Sequence, residues 1–237
     1  GGNYITAIDL VSYSAPNFQH DAAILDILNP NSYEYYRKWN PTCSNPRVIL
    51  QNNGALPLTS CKIRIWVSYG NFIDYTWTGN LAFMQIAEVT LGNFASNTGG
   101  TEFYVTLSNP NGGADQYAFN NTMKSIYNLP PQIPSKLVIE LKTNSVPSEN
   151  SYTLKNSSGT TVFQRNGLTA NTTYSDTLNL ANDCYLFDLR DTGEDGLTWW
   201  ANTGQGSGTI KFKNGYTGAV LTNFNSDFGG QVYQQFN

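Results

Sequence analysis

Cys61-Lys62-Ile63-Arg64-Ile65-Trp66-Val67-Ser68 is the stretch of sequence that most directly indicates the fold. Apolar residues occupy every second position from Ile63 to Val67, and the charged residues Lys62 and Arg64 lie at the alternate positions. Successive side chains of a β-strand point to opposite faces of its sheet. The pattern therefore predicts a strand with one face in a hydrophobic core and the other in solvent.

The same period of two continues elsewhere in the chain. Similar alternation occurs in three more segments: Leu137–Leu141, Tyr185–Leu189 and Thr209–Phe212. Turn-forming sequences separate the alternating segments: Asn53-Gly54, Asn111-Gly112-Gly113, Ser158-Gly159, Asn166-Gly167 and Asn214-Gly215. Short strands with frequent turns are typical of β-sandwiches, so we expect an all-β protein.

A proline-rich segment at residues 128–134 marks the expected domain boundary. Three of its residues are proline, which disfavours both a helix and a central strand and stiffens a connector. Alternation resumes at Lys136. We therefore predict two consecutive sandwich domains, an immunoglobulin-like domain over residues 3–127 and a jelly-roll-like domain over 135–237, joined by this linker.

Composition narrows the possible partners and compartment. Only 13% of the residues are charged, the net charge is −4, and the basic residues form no cluster. Nucleic acid and anionic membranes are therefore disfavoured as partners. No apolar stretch approaches the roughly 20 residues that a membrane helix needs. A polar surface of Asn, Ser, Thr, Gln and Gly is common in extracellular β-proteins, which predicts a secreted or cell-surface location.

The three cysteines are widely spaced. Cys43 and Cys61 flank the strand expected near residues 48–50, and we predict a disulfide between them, since the chain has the character of an exported protein. Two unrelated buried thiols are the alternative. His20 is the only histidine and no C-x-x-C sequence occurs, so a zinc site of ordinary ligand spacing is excluded.

The first half of the chain carries several motifs in a characteristic order. These are His20-Asp21-Ala22-Ala23-Ile24, Cys43, PRVILQNNGALPLTSCKIRIWVSYG, Trp77-Thr78-Gly79-Asn80-Leu81 and FYVTLSNPNGGADQYAFNN. Over most of Ile5–Tyr127 the chain resembles the CARDB-type, immunoglobulin-like adhesion modules of multidomain proteins exported by type IX-secreting bacteria. The resemblance implies an accessory role in adhesion.

The second half resembles a β-sandwich module of the same exported proteins. The matching positions are Glu149, Cys184, Tyr185, Phe187, Asp191, Asp195 and Gly196. Glu194 departs from the pattern, which has glycine there. Trp199-Trp200 stand where family members carry cysteines that could pair with Cys184, so we expect Cys184 to be a free, buried thiol.

An acidic turn in this second half suggests a metal site. Asp191, Glu194 and Asp195 lie within five residues, and Gly193 and Gly196 allow the backbone to bend. Calcium binds six to eight oxygens and suits such a turn. We therefore predict a calcium site, with Glu149 as a further ligand because the resemblance places an acid there. An Asp/Gly-rich loop that caps its own backbone is the alternative.

Two tryptophans follow the acidic turn. Exposed rings beside amides and carboxylates are a common means of holding sugars, so Trp199 and Trp200 are candidate ligand-binding residues. The alternative, derived from strand alternation, places one ring in the core and the other at a partly covered edge. A glycan or a protein at the cell surface is the expected partner.

Catalytic motifs are missing from the sequence. His20 is the one histidine that could serve a nucleophile, no serine lies in a G-x-S-x-G sequence, and H-E-x-x-H is absent. We predict a non-catalytic accessory, adhesion or spacer region of a larger protein, with a carbohydrate-binding module as the alternative. A third possibility is a hydrolase using clustered carboxylates, drawn from Glu149, Asp188, Asp191, Glu194 and Asp195.

Overall fold

The alternation in the quoted stretch forms strand β3 (Leu58–Val67). Ile63, Ile65 and Val67 are buried, and Lys62 and Arg64 are exposed. In this computed structural model the described residues are 15–33, 35, 40–68, 72–92 and 101–237. Residues 3–14 of the predicted first domain lie outside them.

Strand β3 belongs to the first of two sandwiches. Within the described residues, the strands of this sandwich are β1 (Ala22–Asn29), β2 (Arg47–Asn52), β3, β4 (Ile73–Leu81), β5 (Ile86–Thr90), β6 (Glu102–Ser108) and β7 (Thr122–Ile126). They form a three-stranded sheet in the order β1-β2-β5 and a four-stranded sheet in the order β4-β3-β6-β7. Inward residues of both sheets, among them Leu50, Ile63 and Val105, build one hydrophobic core.

The remaining eight strands form a second sandwich. They are β8 (Lys136–Lys142), β9 (Asn150–Lys155), β10 (Thr161–Arg165), β11 (Thr173–Asn179), β12 (Tyr185–Asp191), β13 (Thr209–Asn214), β14 (Val220–Asn223) and β15 (Gln231–Phe236). One sheet has the order β11-β8-β13-β14 and the other β10-β9-β12-β15. In the core of the second sandwich, the rings of Phe187 and Phe212 pack edge-to-face, with 5.0 Å between their centroids.

Every strand pair in the described residues is antiparallel, and those residues contain 3-10 turns but no α-helix. The prediction of an all-β, sandwich-type fold is confirmed. None of the described helices is long and apolar enough to cross a membrane.

The proline-rich segment runs between the two hydrophobic cores. The first core ends at Tyr127 and the second begins at Leu137. The Ile133 N–H donates to the Asn237 carbonyl (2.7 Å), and the Asn237 N–H donates to the Pro131 carbonyl (3.1 Å). Backbone hydrogen bonds therefore hold this segment against the last residue of the chain.

The cysteine pairing differs from the prediction. Cys43 bonds to Cys184, with 5.6 Å between the Cα atoms, and the predicted Cys43–Cys61 disulfide is wrong. Cys61 shares the inward face of β3 with Ile63, and its free thiol is buried in the first core. Burial there raises the pKa of the Cys61 thiol to about 12. The expectation that Cys184 is a free thiol is wrong as well.

Cys43 lies at the contact between the sandwiches, which explains its pairing. The Cys43 and Ser44 N–H groups donate to Oε1 of Gln235, at 2.9 and 3.0 Å. The Thr42 hydroxyl donates to the same oxygen at 3.3 Å. Gln235 is a buried residue of β15, which pairs with β12, the strand that Cys184 directly precedes. One side-chain oxygen thus anchors a segment of the first sandwich to the second, directly beside the disulfide.

Candidate metal centre

The acidic turn leaves the end of β12 at Asp191. Asp191 Oδ1 accepts a hydrogen bond from the Gly193 N–H (3.0 Å), and Oδ2 accepts one from the Gly196 N–H (2.5 Å). This carboxylate is buried and caps the turn that follows it. The self-capping alternative therefore describes Asp191 correctly, although it leaves the neighbouring acids unexplained.

Glu149 and Asp195 complete a cluster with Asp191. One carboxylate oxygen of each of the three lies within 4.8 Å of the others. Glu149 reaches the turn from a 3-10 turn at Pro147–Glu149, and the Thr192 N–H donates to the Glu149 carbonyl (3.0 Å). Three of the four predicted metal ligands therefore come together, including Glu149, which only the family resemblance suggested.

Glu149 packs closely on the backbone of the turn. A Cβ atom added to Gly193 would lie 2.7 Å from Glu149 Oε2, so any side chain at position 193 would collide with the carboxylate. The carboxylate is the end of a flexible side chain, so a residue larger than glycine at position 193 would displace it from this position. The absence of a side chain at Gly193 is thus what allows Glu149 to approach Asp191.

Glu194, the fourth predicted ligand, lies apart from the cluster. Its side chain is exposed, and its φ of 60° falls in the left-handed region that favours glycine. Glu194 thus shapes the turn without joining the group of three carboxylates.

The electrostatics of the cluster oppose ionisation. Burial raises the pKa of Asp191, and the charge of Asp195 adds to this increase. Burial likewise raises the pKa of Glu149, with further contributions from the charges of Asp191 and Asp195. No ion pair among the described residues includes any of the three. The cluster therefore lacks a protein cation to offset its charge within the described part of the chain.

Two carboxylate oxygens of the cluster lack hydrogen-bond partners. Glu149 Oε2 and Asp195 Oδ1 are both shielded from solvent and accept no hydrogen bond. Buried polar atoms in folded proteins are nearly always paired, and an unpaired carboxylate oxygen is especially costly. Among the described residues, none supplies a partner for these two oxygens.

Asn150, which no sequence pattern singled out, opens β9 directly opposite Asp191 in the β9–β12 register. Asn150 is 3% exposed, and neither Nδ2 nor Oδ1 has a hydrogen-bond partner. It follows Glu149 directly, and strand alternation puts it on the inner face with Tyr152. Its position after the acid that the resemblance singled out was the only available signal.

The two tryptophans lie outside the strands. Trp199 is 37% exposed and Trp200 is 80% exposed, with their rings edge-to-face at 6.4 Å. Neither ring is in the core, so the alternative based on strand alternation is wrong for this pair. Leu197, buried between the turn and the rings, anchors the loop through hydrogen bonds to Ser226 and Gly208.

The remaining candidate carboxylate, Asp188, faces away from the cluster. Alternation along β12 puts Asp188 on the outer face, where it pairs with Arg190 at 2.9 Å and accepts a hydrogen bond from Gln231 at 2.7 Å. Asp191 lies on the inner face of the same strand. The five acids considered for hydrolysis therefore do not converge on one cleft.

Comparisons with known proteins identify no relative. No family model matches the chain, and no curated protein or solved structure is significantly similar to it. The class of protein is accordingly defined by its fold and covalent structure alone: an all-β, sandwich-type protein with a disulfide between its two sandwiches.

Proposed function

We propose that this chain is a non-catalytic accessory region of a larger secreted or cell-surface protein, where it acts as a two-domain arm for adhesion, docking or spacing. The observation that carries the proposal is the Cys43–Cys184 disulfide, which joins the two sandwiches covalently. Disulfides form and persist mainly in oxidising, extracellular compartments. The resemblance to CARDB-type adhesion modules of type IX-secreted proteins supports the same role.

The hydrogen bonds around Gln235 support a fixed arrangement of the two domains. Three donors from residues 42–44 converge on one buried oxygen, so separating the domains would leave that oxygen and its donors without partners. An arm that keeps a fixed shape can present a ligand at a defined distance from its neighbours. This favours a mechanical or positioning role over a catalytic one.

The shielding of the acidic cluster also supports a non-catalytic role. Glycoside hydrolysis needs two carboxylates that flank a substrate bond in an accessible cleft. Glu149 Oε2 and Asp195 Oδ1 are both closed off from solvent, and Asp188 lies on the opposite sheet face from Asp191. These acids are therefore poorly placed to reach a glycosidic bond.

The shape of the arm in solution provides the test. Small-angle scattering on the oxidised protein should fit one rigid two-domain particle, and the Cys43→Ser/Cys184→Ser variant should give a broader distribution of domain separations. A parallel screen on polysaccharides, peptides and esters should show no turnover. Identical scattering from both proteins, or turnover abolished by Asp195→Asn, would contradict the proposal.

A carbohydrate-binding module is the second candidate, supported by the exposure of Trp200. A ring that is 80% exposed beside a partly exposed Trp199 offers an apolar surface for a sugar ring. Affinity electrophoresis in gels containing polysaccharide should show retardation that Trp200→Ala removes. Tyr216→Ala is the matched control, because Tyr216 is an exposed aromatic residue (68%) on the loop between β13 and β14. Equal loss in both variants would argue against a specific site.

A further inference from the structure

We propose that Glu149, Asn150, Asp191 and Asp195 bind one Ca2+ ion at the end of the second sandwich. This inference goes beyond the proposed accessory role and does not depend on it. It starts from two independent observations: the three carboxylates lie close together, and the buried amide of Asn150, opposite Asp191, has no partner at either polar atom.

The dimensions of the cluster fit a calcium ion. Calcium–oxygen distances are about 2.3–2.6 Å, so two ligands on opposite sides of the ion are about 5 Å apart. One carboxylate oxygen from each of Glu149, Asp191 and Asp195 lies within 4.8 Å of the other two. They can therefore share a single central ion without a large movement of the backbone.

Asn150 adds a neutral oxygen to the three carboxylates. Directly opposed residues on one sheet face have Cβ atoms about 4.5–5.5 Å apart, which brings the Asn150 amide beside the Asp191 carboxylate. An Oδ1 atom without a hydrogen-bond donor is a ready ligand for a cation. Coordination through Asn150 Oδ1, Glu149 Oε2 and Asp195 Oδ1 would pair three of the four unpaired atoms at the site, the fourth being Asn150 Nδ2.

The chemistry of the donors selects a hard cation that accepts irregular geometry. All four side chains offer oxygen, and no histidine or cysteine belongs to the cluster, which disfavours zinc. Magnesium demands near-ideal octahedral geometry and gives up its waters reluctantly. Three carboxylates on a turn and two strand ends better match the variable coordination of calcium.

A bound ion would connect two separate segments of the second domain. Glu149 ends the 3-10 turn before β9 and Asn150 opens β9, whereas Asp191 ends β12 and Asp195 lies in the turn that follows it. The ion would replace repulsion among three like charges with shared attraction. Calcium should therefore stabilise the native protein against unfolding.

The test is a titration of EGTA-stripped protein with CaCl2, followed by calorimetry and thermal melting. We expect one ion per chain and a higher Tm in millimolar CaCl2 than in EGTA. Asn150→Ala should weaken the affinity by roughly tenfold. Glu194→Gln, which removes an acid on the same turn but outside the cluster, should change it by less than about twofold.

Asp195→Asn provides a second test, in which calcium should no longer raise the Tm although the Tm in EGTA should not fall. It should abolish the calcium-dependent rise in Tm, yet the Tm in EGTA should equal or exceed that of the unmodified protein, because one of three like charges is gone. A side chain with a merely structural role would lower the Tm in both conditions. If Asp195→Asn fails to fold, the uncharged exchange Asn150→Ala decides the question.

Three outcomes would overturn the proposal. The first is a Tm that is the same in CaCl2 and in EGTA, with no heat of binding. The second is an equal loss of affinity in Glu194→Gln and Asp195→Asn, which would indicate attraction by net charge alone. The third is a rise in Tm with MgCl2 as large as that with CaCl2, which would contradict the assignment of calcium.

Discussion

Two buried asparagines, one in each sandwich, differ completely in how their side chains are satisfied. Asn52 ends β2 and is 1% exposed; its Nδ2 donates to the Leu81 (2.8 Å) and Leu56 (3.0 Å) carbonyls, and its Oδ1 accepts from the Gly54 N–H (3.0 Å). Asn150 begins β9 at similar burial and has no hydrogen bond from its amide. The side chain of an asparagine at a strand end is therefore hydrogen-bonded in one domain and has no hydrogen bond in the other.

The two asparagines therefore represent two kinds of buried polar group, one paired within the protein and one unpaired among the described residues. Burying an amide costs free energy unless the amide is hydrogen-bonded. The hydrogen bonds of Asn52 offset this cost and explain how the core accommodates the residue. Asn150 has no such hydrogen bonds, and its unpaired atoms occur beside the unpaired oxygens of Glu149 and Asp195. Satisfaction of hydrogen bonds, rather than residue type or burial, is what distinguishes the two sites.

Separating the two sandwiches should have the largest effect and should allow each asparagine to be studied in its own domain. In Cys43→Ser/Cys184→Ser we expect a lower Tm and two unfolding transitions in place of one. The chain-entropy model assigns about 5 kcal/mol to a loop of 141 residues. Differential scanning calorimetry measures both features. A single transition at the original temperature would show that the disulfide does not couple the domains.

Asn52→Ala should have the next largest effect. The exchange leaves the Leu81 carbonyl and the Gly54 N–H without their partner inside the protein, at a cost of roughly 3 kcal/mol in the free energy of unfolding. Urea denaturation of the variant measures the loss. A change below about 0.5 kcal/mol would mean that solvent replaces these hydrogen bonds, and the contrast with Asn150 would fail.

Glu149→Gln should have a smaller effect that depends on pH. Burial raises the pKa of Glu149 in the folded protein above its ordinary value. The contribution of Glu149 to the free energy of unfolding is therefore most favourable at low pH, and it becomes less favourable as the pH rises from the ordinary carboxyl pKa through the folded-state pKa. In EGTA the variant should therefore be more stable than the unmodified protein near neutral pH, with the advantage disappearing on acidification. Chemical denaturation across pH checks this. A variant that is less stable at neutral pH would contradict the cause assigned to the shift.

Asn150→Ala should have the smallest effect on the protein without calcium. The side chain makes no hydrogen bond, so its removal should change the stability in EGTA by less than about 0.5 kcal/mol. Urea denaturation in EGTA, side by side with Asn52→Ala, gives the direct comparison. A loss as large as that of Asn52→Ala would mean that Asn150 is a structural residue after all.

The alternation of apolar and polar residues in the sequence predicted the all-β fold. The alternation of Ile63, Ile65 and Val67 predicted a half-buried strand, and all three side chains are buried in the first core. Periodicity reports which face a residue occupies, and this explains why it was informative for the strands. Periodicity contains no information about loops. The prediction from strand alternation is wrong for Trp199 and Trp200 because neither residue lies in a strand.

The disulfide and the proposed calcium ligands depend on distances in the folded protein, which spacing along the chain does not give. Cys61 is closer than Cys184 to Cys43 in sequence, yet its thiol is buried in the core because Cys61 lies on the inward face of β3. Asn150 and Asp191 are far apart in the chain and become neighbours only through the β9–β12 register. Long-range pairing of this kind is set by the packing of whole sheets, and no local pattern in the sequence reports it.

The disulfide also determines how the chain would carry tension. A pulling force that enters before Cys43 and leaves after Cys184 passes through the sulfur–sulfur bond and bypasses the intervening residues. Those residues, which include β8 and the proline-rich segment, would add about 490 Å of extended chain if they were released, at about 3.5 Å per residue. With the bond intact they cannot lengthen under load. In the proposed adhesion role, the oxidised chain would behave as a short tether, and its reduced form as a long and extensible one.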